Sequence, residues 1–485
     1  MLPALAAVLA LQQPILVVDP KTLTPAQQVL VQSLQGLVDR TAPLIWFQTG
    51  GIQAEILQDL QQDRQTVPVD DVWTLVGRFR SKIKGAILCK IGTHSLNVAD
   101  SLCGPMDAVA IDESLKDDAQ KHGLDILLDA TNLTEQQAFD KYAKLFRKGI
   151  VVEQAVDKPA NLRDFAIKHD AFVMEADDRD FRKKVVAAMG PGALVFGWGR
   201  DEFQWISDIS EAGGSGVAAD WCTNLSALET IPAKIEAPVA KLALNDDHVR
   251  YVAFVLTDGD NIQWVTGGFA TDPKYYGSPL RGKFPMTWEM SPLLAKFAPS
   301  VLEKIYSMAT PSDDFVTGPG LPGYMFPHPS PDRDLLARES APYLKESGLR
   351  TISILNQNEG SLAEVDPWLN LPEVRAAIYK DYAPYDRRHG ELVWRHGKPC
   401  MAYRFILWEG LTGIGDLAAK IAAMPTSPKT DSASYALINV HAWSFNSIGG
   451  PIQAVQQVIQ KLPPNTRVVT ANQLLDVLIA NHPAK

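Results

Sequence analysis

From Pro14 to its C-terminus the chain alternates short, β-branched apolar runs with polar stretches of helical period. Strands separated by helices long enough to cross over pair in parallel, with the helices packed on the sheet faces. PILVVD (14–19) is the first such run. In TPAQQVLVQSLQGLVDR, Thr24 is placed as a helix N-cap ahead of Pro25, and Val29, Leu30, Leu34 and Leu37 recur at helical spacing. APLIWFQ, GAILCK, DAVAID, DILLDA and ALVFGWG continue the strand series, and EAGGSG (211–216) reads as a loop. The pattern breaks over 229–248, where Pro232 and Pro238 interrupt a stretch without clear period. It resumes with YVAFVL (251–256), a continuous apolar run of the kind found in strands buried on both faces. PMTWEM, DDFVTG, RTISIL, CMAYRF, YALINVHAW and TRVVTA follow. The expected fold class is therefore α/β. An N-terminal α/β domain over 14–235 and a linker over 236–248 precede a C-terminal (β/α) barrel-like domain over 249–485, with about seven βα units.

Composition narrows the partners. A formal charge of −10, with no basic run, argues against nucleic acid, because nothing would displace counterions from a phosphate backbone. No apolar run reaches the roughly 18 residues of a membrane span, so no integral membrane segment is expected. MLPALAAVLALQQP is apolar but short, and it lacks the positive start of a secretory signal. Two readings stand: a shortened leader on an exported (periplasmic or extracellular) protein, or a buried N-terminal segment. Cys89, Cys103, Cys222 and Cys400 are too few for a disulfide framework and read as buried thiols; Cys89 and Cys103 are the pair a bridge would use. No P-loop, G-x-G-x-x-G, G-x-S-x-G or H-E-x-x-H motif occurs.

The chemistry is expected where polar residues follow strands, since barrels of this class carry their active sites there. VAFVL is followed by Asp258, Asp260 and Asn261; PMTW by Glu289; TISIL by Asn356 and Glu359; RFILW by Glu409; YALINV by His441 and Trp443. Two chemistries fit. Asp258 or Asp260, paired with Glu289, Glu359 or Glu409, would serve as acid and base or nucleophile in glycoside hydrolysis, with no cofactor. Alternatively Asp258, Asp260 and His441 would hold a divalent metal whose bound water attacks an ester or amide. D-G-D-N is also ordinary turn chemistry, and single glutamates at strand ends are often only solvated. Trp264, Trp288, Trp408 and Trp443 adjoin these clusters, and an indole face can stack on a sugar ring. Trp198, Arg200, Asp220 and Asn224 in the first half read as structural.

TGPGLPGYMFPHPSP (317–331) resembles the signature of the GxGYxYP family, whose members are labelled putative glycoside hydrolases. Gly323, Tyr324 and Pro327 fit that signature, whereas Leu321 stands in place of its first glycine and Phe326 in place of its second tyrosine. TDGDNIQW (257–264), W-E-M-S-P (288–292) and FGWG…DWCTNLSAL (196–228) are similar to the family in the same order. The resemblance implies the same two-part α/β architecture and a carbohydrate substrate, but assigns no catalytic residues. Asn261, Tyr324 and His328 join the tryptophans as expected sugar-binding groups. A fainter likeness is to polysaccharide deacetylases; their H-x-x-x-H pair is missing, so His328 and His441 would have to substitute. A non-catalytic glycan-binding protein on the same scaffold is the remaining alternative.

Overall fold

The computed structural model describes residues 13–239 and 245–484. The leader-like segment and the middle of the expected linker lie outside the described residues. The chain divides into two compact units, Met1–Lys234 with Phe297–Val301, and Ile235–Lys296 with Leu302–Lys485. The fold is mixed α/β and built largely on parallel strands. Among the described residues no helix is long and apolar enough to cross a membrane. All four cysteines are free and buried.

The first unit contains three small parallel sheets rather than one. β1 (Ile15–Val18), β2 (Ile45–Phe47) and β3 (Thr66–Pro68) lie in the order β2-β1-β3. β4 (Gly85–Cys89), β5 (Ala108–Asp112) and β6 (Ile126–Asp129) lie in the order β5-β4-β6. β7 (Ile150–Glu153), β8 (Phe172–Met174), β9 (Leu194–Gly197) and β10 (Ser215–Ala218) lie in the order β10-β9-β7-β8. Each sheet thus has its first strand flanked by the second and the third. Crossovers from that strand and from its later neighbour leave in opposite directions, and such a switch opens a crevice at the carboxyl ends. The helix Pro25–Val38 starts as its sequence predicts: the Thr24 hydroxyl accepts the Gln27 N–H, and the Gln27 side chain accepts the Thr24 N–H. β10 runs through the end of the segment expected to be a loop. It is buried throughout, so its glycine meets neighbours rather than water.

The second unit has two sheets. One holds β11 (Arg250–Leu256), β12 (Met286–Met290), β13 (Asp313–Thr317), β18 (Phe405–Leu407) and β19 (Tyr435–Val440) in the order β13-β12-β11-β19-β18, with β20 (Thr466–Val468) on the first part of β11. The other holds β14 (Thr351–Asn356), β15 (Ala376–Asp381), β16 (Leu392–Arg395) and β17 (Lys398–Ala402) in the order β14-β15-β17-β16. The barrel expected from the sequence is not present as a closed sheet. Between β13 and β14 the strand pairing is reduced to an isolated bridge, Pro319 to Ser353, where the chain has entered the TGPGLPG loop. Its prolines have no N–H to donate to a ladder. On the other side Tyr403 N–H donates to the Tyr379 carbonyl and Arg404 N–H to that of Leu437, as the chain passes from β17 to β18. Alternate residues of both sheets still fill one core: Tyr251, Ala253 and Val255 of β11, Val316 of β13, Ile378 of β15, Met401 of β17 and Leu437 of β19.

Candidate active site

At the end of β11 the chain turns sharply. Asp258 has φ 71°, a left-handed conformation that a residue with a side chain adopts at a cost. Gly259 crosses β12 so closely that a Cβ would lie 1.6 Å from the Glu289 carbonyl oxygen. Asn261 is an N-cap, its side chain accepting the Trp264 N–H of the short helix Ile262–Val265. Asp258 Oδ1 accepts the Trp443 indole N–H at 3.2 Å, and Oδ2 accepts the Thr257 hydroxyl at 2.6 Å. Asp260 lies near both Asp258 and Glu289. Burial, then the charges of those two carboxylates, hold its carboxyl well above the usual carboxylate range, against the pull of Lys380.

One layer above the apolar core, Glu289 of β12 meets Lys380 of β15. Glu289 Oε1 accepts the Ser353 hydroxyl at 2.6 Å and the Lys380 ammonium at 3.0 Å. Its Oε2 accepts the Asp258 backbone N–H at 3.2 Å. The two side chains are 0% and 2% exposed, and burial raises the Glu289 carboxyl despite the ammonium beside it. The Lys380 Nζ also lies 5.6 Å from the ring centres of Tyr385 and Tyr403. Burial, reinforced by Glu289, holds the Tyr403 phenol well above its ordinary value. Glu289 is thus tied into a network that fixes the Asp258 backbone.

Aromatic rings form the rim. The His441 imidazole stacks on Trp408, ring centres 3.6 Å apart, and its Nδ1 shares a hydrogen bond with the Ser444 hydroxyl at 2.7 Å. Burial lowers the His441 pKa, with Lys380 acting the same way and Asp258 opposing. Trp443 is 41% exposed and packs against Trp264, which meets Tyr275 edge-on.

The remaining expected residues stand elsewhere. Glu359 and Glu409 are exposed, and Glu409 accepts the Phe445 N–H at 2.7 Å. His328 pairs with Glu364 at 2.9 Å. Burial opposes ionisation of Glu364, but hydrogen bonds from His328, Asn356 and Ser361 outweigh it and hold the carboxyl below its ordinary range. Trp288 is buried against Tyr276 and Phe269, and its indole donates to Asp313. It neighbours Glu289 in the strand, so the two side chains take opposite faces. Tyr324 is 3% exposed and packs edge-on against Phe326, so the expected stacking face is buried. Among the described residues no group of three or more His, Cys, Asp or Glu side chains is arranged to hold a metal ion.

Lys380, Ser353 and Tyr403 escaped the sequence reading. Lys380 is the penultimate residue of AAIYKD, a strand the sequence did not reveal; the strand-end rule that selected Glu289, penultimate in its own strand, would otherwise have selected Lys380.

Four family descriptions match in succession: the GxGYxYP_N 1st domain over 15–81, the GxGYxYP_N second domain over 83–146, the GxGYxYP third domain over 148–229, and the GxGYxYP putative glycoside hydrolase C-terminal domain over 248–478. The first three correspond to the three small sheets. The crystal structure of a putative hydrolase from Bacteroides thetaiotaomicron VPI-5482 is similar with a TM-score of 0.89 and 26% identity, covering 98% of this chain and 96% of that one. No curated protein matches. With matches from residue 15 to residue 478 and the strand-end cluster lying in the last of them, the chain belongs to the GxGYxYP family.

Proposed function

We propose that the chain is a carbohydrate-active hydrolase of the glycoside hydrolase type, working at the carboxyl ends of β11, β12, β15 and β19. The observation that carries the reading is Asp260, whose carboxyl burial and the charges of Asp258 and Glu289 hold well above the usual carboxylate range. A carboxyl that resists ionisation, beside a second carboxyl, is what hydrolysis of a glycosidic bond uses. The two sheets of the second unit then act as an opened (β/α) barrel, with the site at its usual end.

In this reading Asp260 gives its proton to the glycosidic oxygen as the bond to the anomeric carbon breaks. Asp258 acts on the opposite side, either taking a proton from the attacking water or bonding to the anomeric carbon itself. The configuration of the first-formed sugar, read by NMR, separates these two routes. Glu289 and Lys380 are positioning residues, because they hold the Asp258 backbone through its N–H. Trp443, Trp264 and Trp408 offer the sugar apolar faces.

The test is turnover of an oligosaccharide panel by Asp260→Asn, which preserves shape and removes the acidic proton. A fall in kcat of about 10²- to 10⁴-fold at an unchanged melting temperature is expected. Undiminished turnover would refute the assignment.

A further inference from the structure

A polar cavity lies in the first unit, at the carboxyl ends of β7 to β10, with a volume of about 230 Å³. Its place follows from topology. β7 and β9 are neighbours, but β7 leads to β8 on one side and β9 leads to β10 on the other. Their connecting loops part, and open α/β sheets bind ligands in the crevice this leaves. Just below the opening, Gly197 has φ 127°, and a Cβ there would lie 1.7 Å from the Glu153 carbonyl oxygen. Only glycine lets β9 close on β7 at that point.

Lys158, Glu175, Trp198, Arg200 and Asp220 line the cavity, with Glu153 also in the wall. Three of them, Trp198, Arg200 and Asp220, had been read as structural. Asn224 is indeed so: it is fully buried, bonding both backbone groups of Phe47. The charges in the wall are matched among themselves. Lys158 bonds Asp220, and its Nζ lies 4.4 Å over the ring of Trp221, which is 60% exposed. Arg200 bonds Glu175 and Asp177, each at 3.1 Å. Glu153 accepts from Arg182 at 2.7 Å and from the Trp205 indole at 2.9 Å. A phosphate or an amine would meet no unmatched opposite charge here. A neutral polyol needs none: its hydroxyls can donate to the carboxylates and accept from Lys158 and Arg200, with its C–H face on Trp198. The volume is below the roughly 300–1,000 Å³ of drug-sized pockets and suits a single ring.

We infer that this cavity binds one neutral sugar residue, independently of any chemistry at Asp258 and Asp260. The test uses the full chain carrying Trp443→Ala, which weakens the rim in the second unit. Methyl glycosides of glucose, galactose, mannose, xylose and N-acetylglucosamine are titrated by calorimetry and by saturation-transfer NMR. At least one should bind, and Trp198→Ala should weaken it on the order of tenfold. Asp177→Ala is the second variant; this side chain is 57% exposed, so its loss leaves the fold intact while leaving Arg200 held by Glu175 alone. It should also weaken binding severalfold. No binding by any of the five sugars overturns the inference, as does binding indifferent to both variants. Binding of inorganic phosphate or spermidine in place of the sugar, sensitive to the same variants, overturns the assignment to a neutral ligand.

Discussion

The third sheet of the first unit and the six-stranded sheet of the second place carboxylates in the same location, beyond the carboxyl ends of parallel strands, but surround them differently. In the third sheet every acid of the cavity is paired with a cation: Glu153 with Arg182, Asp220 with Lys158, and Glu175 and Asp177 with a shared Arg200. At the end of β11 and β12, Asp258, Asp260 and Glu289 gather about the Lys380 ammonium, and Glu289 takes its hydrogen bonds. Burial, together with the excess negative charge, holds the Asp260 carboxyl well above its ordinary range. Topology locates both clusters, and in the proposed reading the ratio of acids to bases separates a centre that donates a proton from a cavity that holds a ligand. This contrast is why the two are read as a reactive centre and a binding cavity.

Removing the ammonium tests the contrast most severely. Lys380→Met leaves Glu289 buried without its partner and should cost about 3–5 kcal/mol in urea unfolding. The double variant Lys380→Met with Glu289→Met should recover most of that loss. A small effect from the single variant would mean that Glu289 simply takes up a proton, and the charge-ratio account would fail.

Asp39 in the first unit complicates a simple division between units, and a pH series sharpens it. Burial pushes this carboxyl from 3.8 up to about 8, opposed by the Leu44 and Ile45 N–H groups. A raised value in the folded state means that stability is fully present below the ordinary value and is lost as pH climbs toward 8. Asp39→Asn keeps an oxygen to accept the two N–H groups and has no proton to lose. Its melting temperature should fall less than that of the parent chain between about pH 5 and pH 9. Parallel curves would show that Asp39 does not titrate in this range. Structural carboxyls can hold a proton too, so a raised value marks a reactive group only beside an open site.

The smallest expected effect concerns Asp258. Glycine adopts a φ of 71° without strain, so Asp258→Gly should gain about 0.5–1 kcal/mol while losing turnover. A loss of stability would show that the hydrogen bonds from Trp443 and Thr257 outweigh the backbone strain.

Much of this was legible in the sequence. The apolar runs located β1, β2, β4, β11, β12, β14 and β19, because each is a run of core residues bounded by turns. The strand-end rule picked out Asp258, Asp260, Glu289 and His441, which the fold gathers at the ends of β11, β12 and β19. Glu359 and Glu409 stand apart, where the chain turns outward to water, as does Trp288, which strand alternation sends behind the sheet. Tyr324 was named through its place in the family signature, and burial in a packed segment is not something that signature encodes. The three-sheet division of the first unit was not legible, since strand order depends on long-range pairing that local periodicity does not encode. Lys380 was missed for a local reason: a lysine at the end of a short strand reads as a solvated turn until its partner is known.

The bond between Lys380 and Glu289 also bears on how the second unit assembles. Its two ends belong to different sheets, and both lie in the interior. Neither sheet can bury its own charge alone, so an intermediate with one sheet formed and the other loose would carry an unneutralised ion into a dry interface. Such half-built species are disfavoured. The second unit should therefore unfold as one cooperative block, with amide protons of β12 and β15 exchanging at a common rate although no backbone hydrogen bond joins those two strands.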